Sequence, residues 1–247
     1  MAINTDKNSY TVFFAALMVV VVGSLLAFFA SSLSGKIKEN KRIEKQQNIL
    51  YAMGVNENDE ASVTFVSKDK VEAEFSKYIT EQLVLENGKT VENDEAYLLD
   101  LKKQLANNKN GDAASFPIFI GSKDGKKTHI LPMYGKGLWD AISGYIALND
   151  QMIVQGVYFD HVGETPGLGA NIKQRYFMDD FAGESILDGT RYAGIQVAKG
   201  NNDPLNKTKD DNEVDALAGA TITGNGVAAM IKETVDLYKP YLETVRN

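Results

Sequence analysis

A short segment near the C-terminus, residues 214–227, has residue types that could bind a phosphate. Its sequence, VDALAGATITGNGV, supplies three glycines and two hydroxyl groups, those of Gly219, Gly224, Gly226, Thr221 and Thr223. The segment runs into a sequence typical of a helix, and the N-terminus of a helix attracts anions through unpaired N–H groups and its dipole. Glycines let a phosphate approach the backbone. The composition fits a phosphate site, but also a plain helix cap with Thr223 or Asn225 as capping residue.

The familiar nucleotide-binding and catalytic motifs do not match this chain. No Lys-Ser or Lys-Thr pair follows the glycines, as a Walker A loop would require. No strong strand precedes them, and no ribose-binding acid follows in a strand about 20 residues later, as a Rossmann fingerprint would require. The chain has no cysteine and two histidines, without a zinc-binding spacing. We therefore assign no metal site and no catalytic residue.

The overall composition is that of a globular protein with an acidic balance. The 247 residues are 44% hydrophobic and 24% charged, enough for one sizeable domain with an appendage. The formal net charge is −7. Nucleic-acid binding needs clustered Lys and Arg to replace phosphate counterions, so a nucleic-acid partner is not expected.

The N-terminal part contains a candidate membrane span. Residues 11–30 carry no charge over a length of about 30 Å in a helix, which matches the hydrocarbon core of a bilayer. The run is longer than the apolar region of a signal peptide, so we favour a single anchor over a cleaved signal or a buried soluble helix. Lysines and an arginine at positions 36–45 follow the span, and by themselves they predict that the large domain lies in the cytoplasm.

The remaining patterns predict an α+β fold with a mainly antiparallel sheet and flanking helices. We expect a helical stalk over 34–53, an amphipathic helix over 69–85 with Asp69 as N-cap, and a polar, mobile insertion over 86–114 with a helix near 95–105. Strands are predicted at FPIFIG, THILPMYG, QMIVQGVYFDHVG and YAGIQVAKG, and a helix closes the chain near Val245. The predicted divisions are an N-terminal segment and transmembrane helix (1–33), a helical stalk and polar insertion (34–114) and a compact domain (115–247).

One part of the glycine-rich segment resembles a known modification site. Residues 215–223, DALAGATIT, resemble the signature D-x-x-[S/T]-G-A-T-x-[T/S] at which flavin transferases attach FMN. The resemblance implies that Thr221 forms a phosphoester with FMN, with FAD as the donor. It makes the other signature positions cofactor-binding candidates: Asp215, Ala218, Gly219, Ala220 and Thr223. The chain departs from the signature at Ala218, where Ser or Thr is usual.

Two further segments resemble the FMN-binding domain family. They are GKGLWDAISGYIAL (135–148) and HVGETPGLGANI (161–172). The resemblance implies that the flavin is lined by Gly137, Leu138, Trp139, Glu164, Thr165, Gly167, Leu168 and Gly169. From the residues themselves, Pro166 and Gly167 suit a type II turn, which could equally be a surface turn without a ligand. The single tryptophan, Trp139, could equally be a core residue that anchors the domain.

The family occurs in the C subunit of the Na⁺-translocating NADH:quinone oxidoreductase and in the G subunit of the Rnf complex. The resemblance implies a covalent-FMN subunit that relays electrons between redox centres of a bacterial inner-membrane complex. Its partners would be the other subunits and, during maturation, a flavin transferase. It places the flavin domain in the periplasm, against the local charge pattern. The chain length favours the NADH:quinone oxidoreductase; an Rnf-type subunit, or a membrane-tethered scaffold module without cofactor, is the alternative.

Overall fold

The structure is a computed structural model that describes residues 8–59, 62–204 and 206–246. Most of the segment before the predicted span lies outside these residues, as do residues 60, 61, 205 and 247 of the later predicted divisions. Contacts divide the chain into two units, of which the first ends at Arg42 and the second begins at Ile43.

The first helix, α1 (Asn8–Ala52), is long enough to span a membrane and to continue beyond it. Its apolar part is exposed, and among the described residues it is the one helix with the length and composition of a membrane span. The helix continues without a break through the predicted stalk. Its last turns belong to the second unit, where Ile49, Leu50 and Ala52 are fully buried.

The second unit is built on a six-stranded sheet, and its antiparallel pairing confirms the predicted sheet type. Its strands are β1 (Ile79–Glu86), β2 (Lys89–Glu92), β3 (Phe116–Lys123), β4 (Lys126–Lys136), β5 (Ala141–Leu148) and β6 (Val154–His161). The order across the sheet is β2-β1-β3-β4-β5-β6, so that β3 to β6 form a simple meander. The turn between β3 and β4 lies at Asp124 and Gly125, both of which have positive φ.

The sheet begins earlier in the chain than the sequence indicated. The amphipathic helix predicted over 69–85 is wrong beyond Tyr78: α2 (Val71–Tyr78) is short, begins after Lys70 without a side-chain cap, and leads directly into β1. Pairing of β1 with β3 decides this, because it places Leu83, Val84 and Leu85 in the core. Strands β1 and β2 thus lie before residue 115, where we expected the compact domain to start.

The other helices flank this sheet. They are α3 (Leu101–Asn110), within the predicted polar insertion, α4 (Arg175–Met178) and the long C-terminal α5 (Thr221–Val245). Helix α3 is capped by Asp100, whose carboxylate accepts the Lys103 N–H, and it ends at Gly111 in the left-handed conformation. Helix α5 packs along β4 and buries a continuous apolar face that includes Val227, Ile231 and Tyr238.

The segment between β6 and α5 contains little regular structure. The strand predicted at 192–200 is reduced to β8 (Arg191–Tyr192), which pairs with β7 (Leu187–Asp188), and β9 (Gln196–Val197), which pairs in parallel with β10 (Glu213–Val214). These two-residue strands lie outside the main sheet. The apolar pattern at 192–197 instead reflects burial of Tyr192, Ile195 and Val197 in a segment that contacts α5.

Candidate functional site

Thr221 is the first residue of α5 and is exposed. The helix has Ala220 as its N-cap and no side-chain capping bond, so the interpretation of this segment as a cap made by Thr223 or Asn225 is wrong. The Thr223 hydroxyl turns inward and donates to Glu164 Oε2 at 2.7 Å. The start of α5 therefore presents an exposed hydroxyl at the positive end of a 25-residue helix.

A tight turn precedes Thr221. The Ala220 N–H donates to the Leu217 carbonyl at 3.1 Å, and Gly219 has φ of +67°, a conformation that favours glycine. A side chain at 219 would also approach the Leu168 side chain to 2.8 Å. Ala218 lies at the exposed tip of this turn. Its missing hydroxyl therefore does not disturb the fold of the turn.

The two later glycines serve packing rather than phosphate access. A side chain at Gly226 would overlap with the carbonyl oxygen of Lys136 at the end of β4, and one at Gly224 would come within 3.0 Å of Val197. Their small size lets the start of α5 lie directly on the sheet. Of the three glycines, only Gly219 shapes the turn that carries Thr221.

Asp215, the first position of the signature, holds a neighbouring loop. Its Oδ1 accepts the N–H groups of Asn202 and Asp203 at 3.0 and 3.3 Å. Its Oδ2 is buried and has no hydrogen-bond partner among the described residues. The carboxylate thereby ties the 200–203 loop to the segment that leads into Thr221.

The second segment makes the turn that its sequence predicts. The Leu168 N–H donates to the Thr165 carbonyl at 3.1 Å, and Gly167 has φ of +78° after Pro166, as a type II turn requires. Thr165, Gly167 and Leu168 are exposed at this turn. Glu164, by contrast, is only 5% exposed and points into the protein.

Glu164 connects the segments through its two carboxylate oxygens. Oε1 accepts the Trp139 N–H at 3.0 Å, and Oε2 accepts the Thr223 hydroxyl. Burial raises the pKa of Glu164, but the Thr223 hydroxyl and the N–H groups of residues 138–140 outweigh burial and hold this pKa below its usual value. The carboxylate is therefore ionised at neutral pH. We call this arrangement of Glu164, Thr223 and the Trp139 N–H the Glu164 junction.

The third segment is the loop that connects β4 to β5. The Gly137 N–H donates to the Asp140 carbonyl at 2.8 Å, which closes the loop and turns Leu138 and Trp139 outward. Trp139 is 69% exposed, so the alternative interpretation of this residue as a core anchor is wrong. Exposed tryptophan beside an exposed leucine is a usual feature of a binding surface.

The fold therefore brings the three segments to one place, although 84 residues separate Gly137 from Thr221 along the chain. Two residues that sequence reasoning missed lie in the same segments. Val162 and Ile222 are 72% and 58% exposed, and both are large apolar side chains. Ile222 carried a detectable signal, because it falls outside the apolar face of α5 that packs on the sheet.

These residues fit an FMN group. The uncapped start of α5 suits a phosphate, and the exposed side chains of Leu138, Trp139, Leu168 and Ile222 offer apolar surface to a ring system. Phosphate and ring could thus be held by different parts of one small region.

Comparison with known proteins agrees with this fit. A family model described as the FMN-binding domain matches residues 137–236, which include 161–172, 214–227 and all but the first two residues of 135–148. By fold and by site the chain is an FMN-binding-domain protein.

Two relatives and a solved structure define the family more closely. The C subunit of the Na⁺-translocating NADH-quinone reductase from Yersinia pestis is 30% identical over 99% of this chain and 95% of the relative. Its counterpart from Pseudomonas aeruginosa is also 30% identical, over 91% and 90%. The crystal structure of the counterpart from Parabacteroides distasonis is 31% identical with a TM-score of 0.72, and covers 87% of this chain and 98% of that one. The chain belongs to the NqrC family, the C subunits of Na⁺-translocating NADH-quinone reductases.

Membership of this family confirms several predictions. The chain is a flavoprotein subunit of a multi-subunit membrane complex, it carries an FMN-binding domain, and it has one N-terminal apolar helix as candidate span. Near-complete coverage of NqrC relatives favours that family over the Rnf-type alternative, and the FMN-binding domain argues against a scaffold module without cofactor.

Proposed function

We propose that the FMN of this subunit is bound covalently, through a phosphoester to Thr221 Oγ. The observation that carries the proposal is the exposed Thr221 hydroxyl at the uncapped, positive end of α5, within the signature that flavin transferases modify. In this reaction Thr221 Oγ attacks the FMN phosphorus of FAD. An O–P bond forms, the bond to the AMP oxygen breaks, AMP leaves, and the hydroxyl proton passes to a base of the transferase.

Different candidate residues present the acceptor hydroxyl and contact the flavin ring. Asp215, Gly219 and the turn through Ala218 and Ala220 present the acceptor hydroxyl. Apolar surface for the ring comes from the exposed side chains of Leu138, Trp139 and Leu168, and the loops that carry them include Gly137, Thr165 and Gly169.

Bound FMN would supply one-electron chemistry, and the protein would hold it for electron relay between neighbouring centres of the complex. The described span carries no ionisable side chain between residues 11 and 30. A cation path is therefore not a role that we assign to this subunit.

The experiment that tests covalent attachment is in-gel fluorescence. The full chain is expressed with a flavin transferase and run on a denaturing gel under ultraviolet light. The wild type is expected to fluoresce and to gain the mass of FMN, Thr221→Ala is expected to stay dark, and Thr190→Ala, which changes another exposed threonine, is expected to fluoresce. A dark wild type with the mass of the bare chain would overturn the proposal.

We further propose that the flavin domain lies on the periplasmic side of the bacterial inner membrane. The family resemblance supports this side, whereas the basic residues after the span favour the cytoplasm. Protease treatment of intact spheroplasts distinguishes the two, because a periplasmic domain is digested before lysis. Digestion only after lysis would contradict the proposal.

A further inference from the structure

Glu164 joins three segments that are distant in sequence, and it does so with protein groups on both oxygens. Its partners, the Trp139 N–H and the Thr223 hydroxyl, are 25 and 59 residues away. Thr223 is itself only 1% exposed. The carboxylate is therefore directed into the junction rather than toward the exposed surface beside Thr221, so it acts through other residues.

Two glycines reserve the space that this carboxylate occupies. A side chain at Gly137 would overlap with Glu164 Oε1, and one at Gly169 would overlap with Oε2 and with the Thr223 hydroxyl. Both glycines belong to the signature segments and neither has a positive φ, so their role here is close approach and not turn geometry. The junction is thus built to admit one carboxylate in one position.

The charge of Glu164 is balanced by dipoles. No basic side chain within residues 8–59, 62–204 and 206–246 forms an ion pair with it. Its donors are a hydroxyl and the N–H groups of residues 138–140. Hydrogen bonds to a buried anion are strong and depend steeply on geometry. The junction therefore fixes the position of Thr223 relative to the β4–β5 loop.

Thr223 lies in the first turn of α5, two residues after Thr221. Whatever fixes Thr223 also fixes the turn that presents the Thr221 hydroxyl. The geometry points to Glu164 as the positioning residue for flavin attachment: it holds the acceptor turn against the Leu138–Trp139 loop in the arrangement that the transferase uses. This inference rests on the proposed covalent attachment at Thr221.

The test measures the rate at which a flavin transferase labels the full chain with FAD, followed by in-gel fluorescence. Thr223→Val removes the hydroxyl at nearly constant volume, and we expect about tenfold slower labelling because misplacing a reacting group is costly. Thr223→Ser keeps the donor and should label close to the wild-type rate. Since only positioning of the acceptor changes, the KM for FAD should stay constant while the maximal rate falls.

The matched control is Thr234→Val. Thr234 is also buried on α5 and donates to the Met230 carbonyl at 2.8 Å, but it lies more than three helical turns from Thr221. The Thr234→Val chain should lose the stability that this hydrogen bond contributes, but it should label at the wild-type rate. Equal slowing of the Thr223→Val and Thr234→Val chains would show a general structural effect and overturn the inference.

Glu164→Gln tests the carboxylate itself and keeps its shape, so it remains informative if Thr223→Val does not fold. A neutral amide makes weaker hydrogen bonds than a carboxylate, and we expect labelling slower by about threefold to tenfold. In the Glu164→Gln/Thr223→Val double variant the two losses should not multiply, because both substitutions act on the same Glu164–Thr223 bond. Wild-type labelling of Glu164→Gln would overturn the inference.

The two proposals fail in different ways. If Thr221→Ala is labelled as well as the wild type, attachment at Thr221 is wrong. If Thr221→Ala stays dark while the Glu164 and Thr223 variants label at the wild-type rate, attachment stands and the positioning role of Glu164 is wrong.

Discussion

Helix α5 is tied to the sheet by a polar cluster near each of its ends, and the two clusters differ in their surroundings. Near its start, Thr223 bonds to Glu164. Near its end, the Tyr241 hydroxyl lies 2.6 Å from His129 Nδ1, and His129 Nε2 lies 2.8 Å from Asp150 Oδ1. His129 is on β4, seven residues before Lys136, which is the last residue of that strand.

In the cluster near the end of the helix the His129 imidazole is enclosed, and Asp150 is the partly exposed member. His129 is completely buried, both of its ring nitrogens have a partner, and its ring packs edge-on against Tyr241. The Glu164 and Thr223 side chains are buried too. The side chains of Trp139, which donates only its backbone N–H, and of Ile222, the neighbour of Thr223, are exposed. Similar polar contacts thus close one end of the helix, whereas at the other end they support a surface open to a ligand.

The largest effect is expected from overfilling the Glu164 junction. Gly169→Ala would place a methyl group against Glu164 and Thr223, and we expect a loss of about 1–3 kcal/mol in unfolding free energy together with loss of flavin attachment. Denaturant unfolding and in-gel fluorescence measure the two effects. Gly163→Ala is the control, because its side chain would make an ordinary contact at 3.4 Å with Asp140. Equal behaviour of the two variants would contradict a tightly filled junction.

Loss of the Tyr241–His129 contact near the end of α5 should lower stability without affecting flavin attachment. Tyr241→Phe leaves His129 Nδ1 buried without its partner, which should cost about 1–3 kcal/mol of unfolding free energy. Flavin labelling at a temperature where the variant is folded should match the wild type. A labelling defect as large as that of Thr223→Val would remove the functional difference between the two ends.

The contributions of the two polar clusters should also differ in how they depend on pH. Burial lowers the pKa of His129, although the Asp150 carboxylate raises it. Below about pH 6.5 the unfolded chain takes up a proton that native His129 resists, so stability that is present above that pH is lost on acidification. A comparison of the unfolding free energies of the wild type and His129→Phe at pH 7.5 and 5.0 isolates the contribution of His129 to the pH dependence of stability. Burial raises the pKa of Glu184 to about 7, but this contribution is common to both proteins and cancels.

The effect of the Glu164 junction on flavin labelling should not change with pH over the same range. Since hydrogen bonds hold the pKa of Glu164 below its ordinary value, its carboxylate keeps its charge from pH 7.5 to 5.0. The labelling rate of Glu164→Gln relative to wild type should therefore be constant between these values. A ratio that approaches one at pH 5.0 would show that the carboxylate is protonated there.

The smallest effect on stability is expected at the exposed surface. Trp139→Ala should change the unfolding free energy by less than about 0.5 kcal/mol, because the side chain is mostly in solvent. Its effect should appear in the flavin, as a changed absorption spectrum and fluorescence yield of the labelled protein. A large loss of stability without a spectral change would assign Trp139 to the fold instead of the site.

Local sequence alone predicted the apolar span, three of the four strands between Phe116 and His161, the turn at Pro166 and Gly167, and the end of α5 near Val245. Strand β5 was not among the predicted strands. Local causes are sufficient for these features: an uncharged run, alternation with turn residues, and the φ preferences of proline and glycine. The three signature segments also needed no structure to be found, because their residue order is unusual.

Tertiary structure decided what local patterns could not. The segment Ile79–Glu86 has helix-compatible apolar spacing, but pairing with β3 makes it a strand. Thr223 has the residue type of a helix cap, yet its hydroxyl is taken by a carboxylate 59 residues away, and Trp139 is turned outward by a closed loop. These outcomes depend on partners distant in sequence, and such partners are specified only when the whole chain has folded.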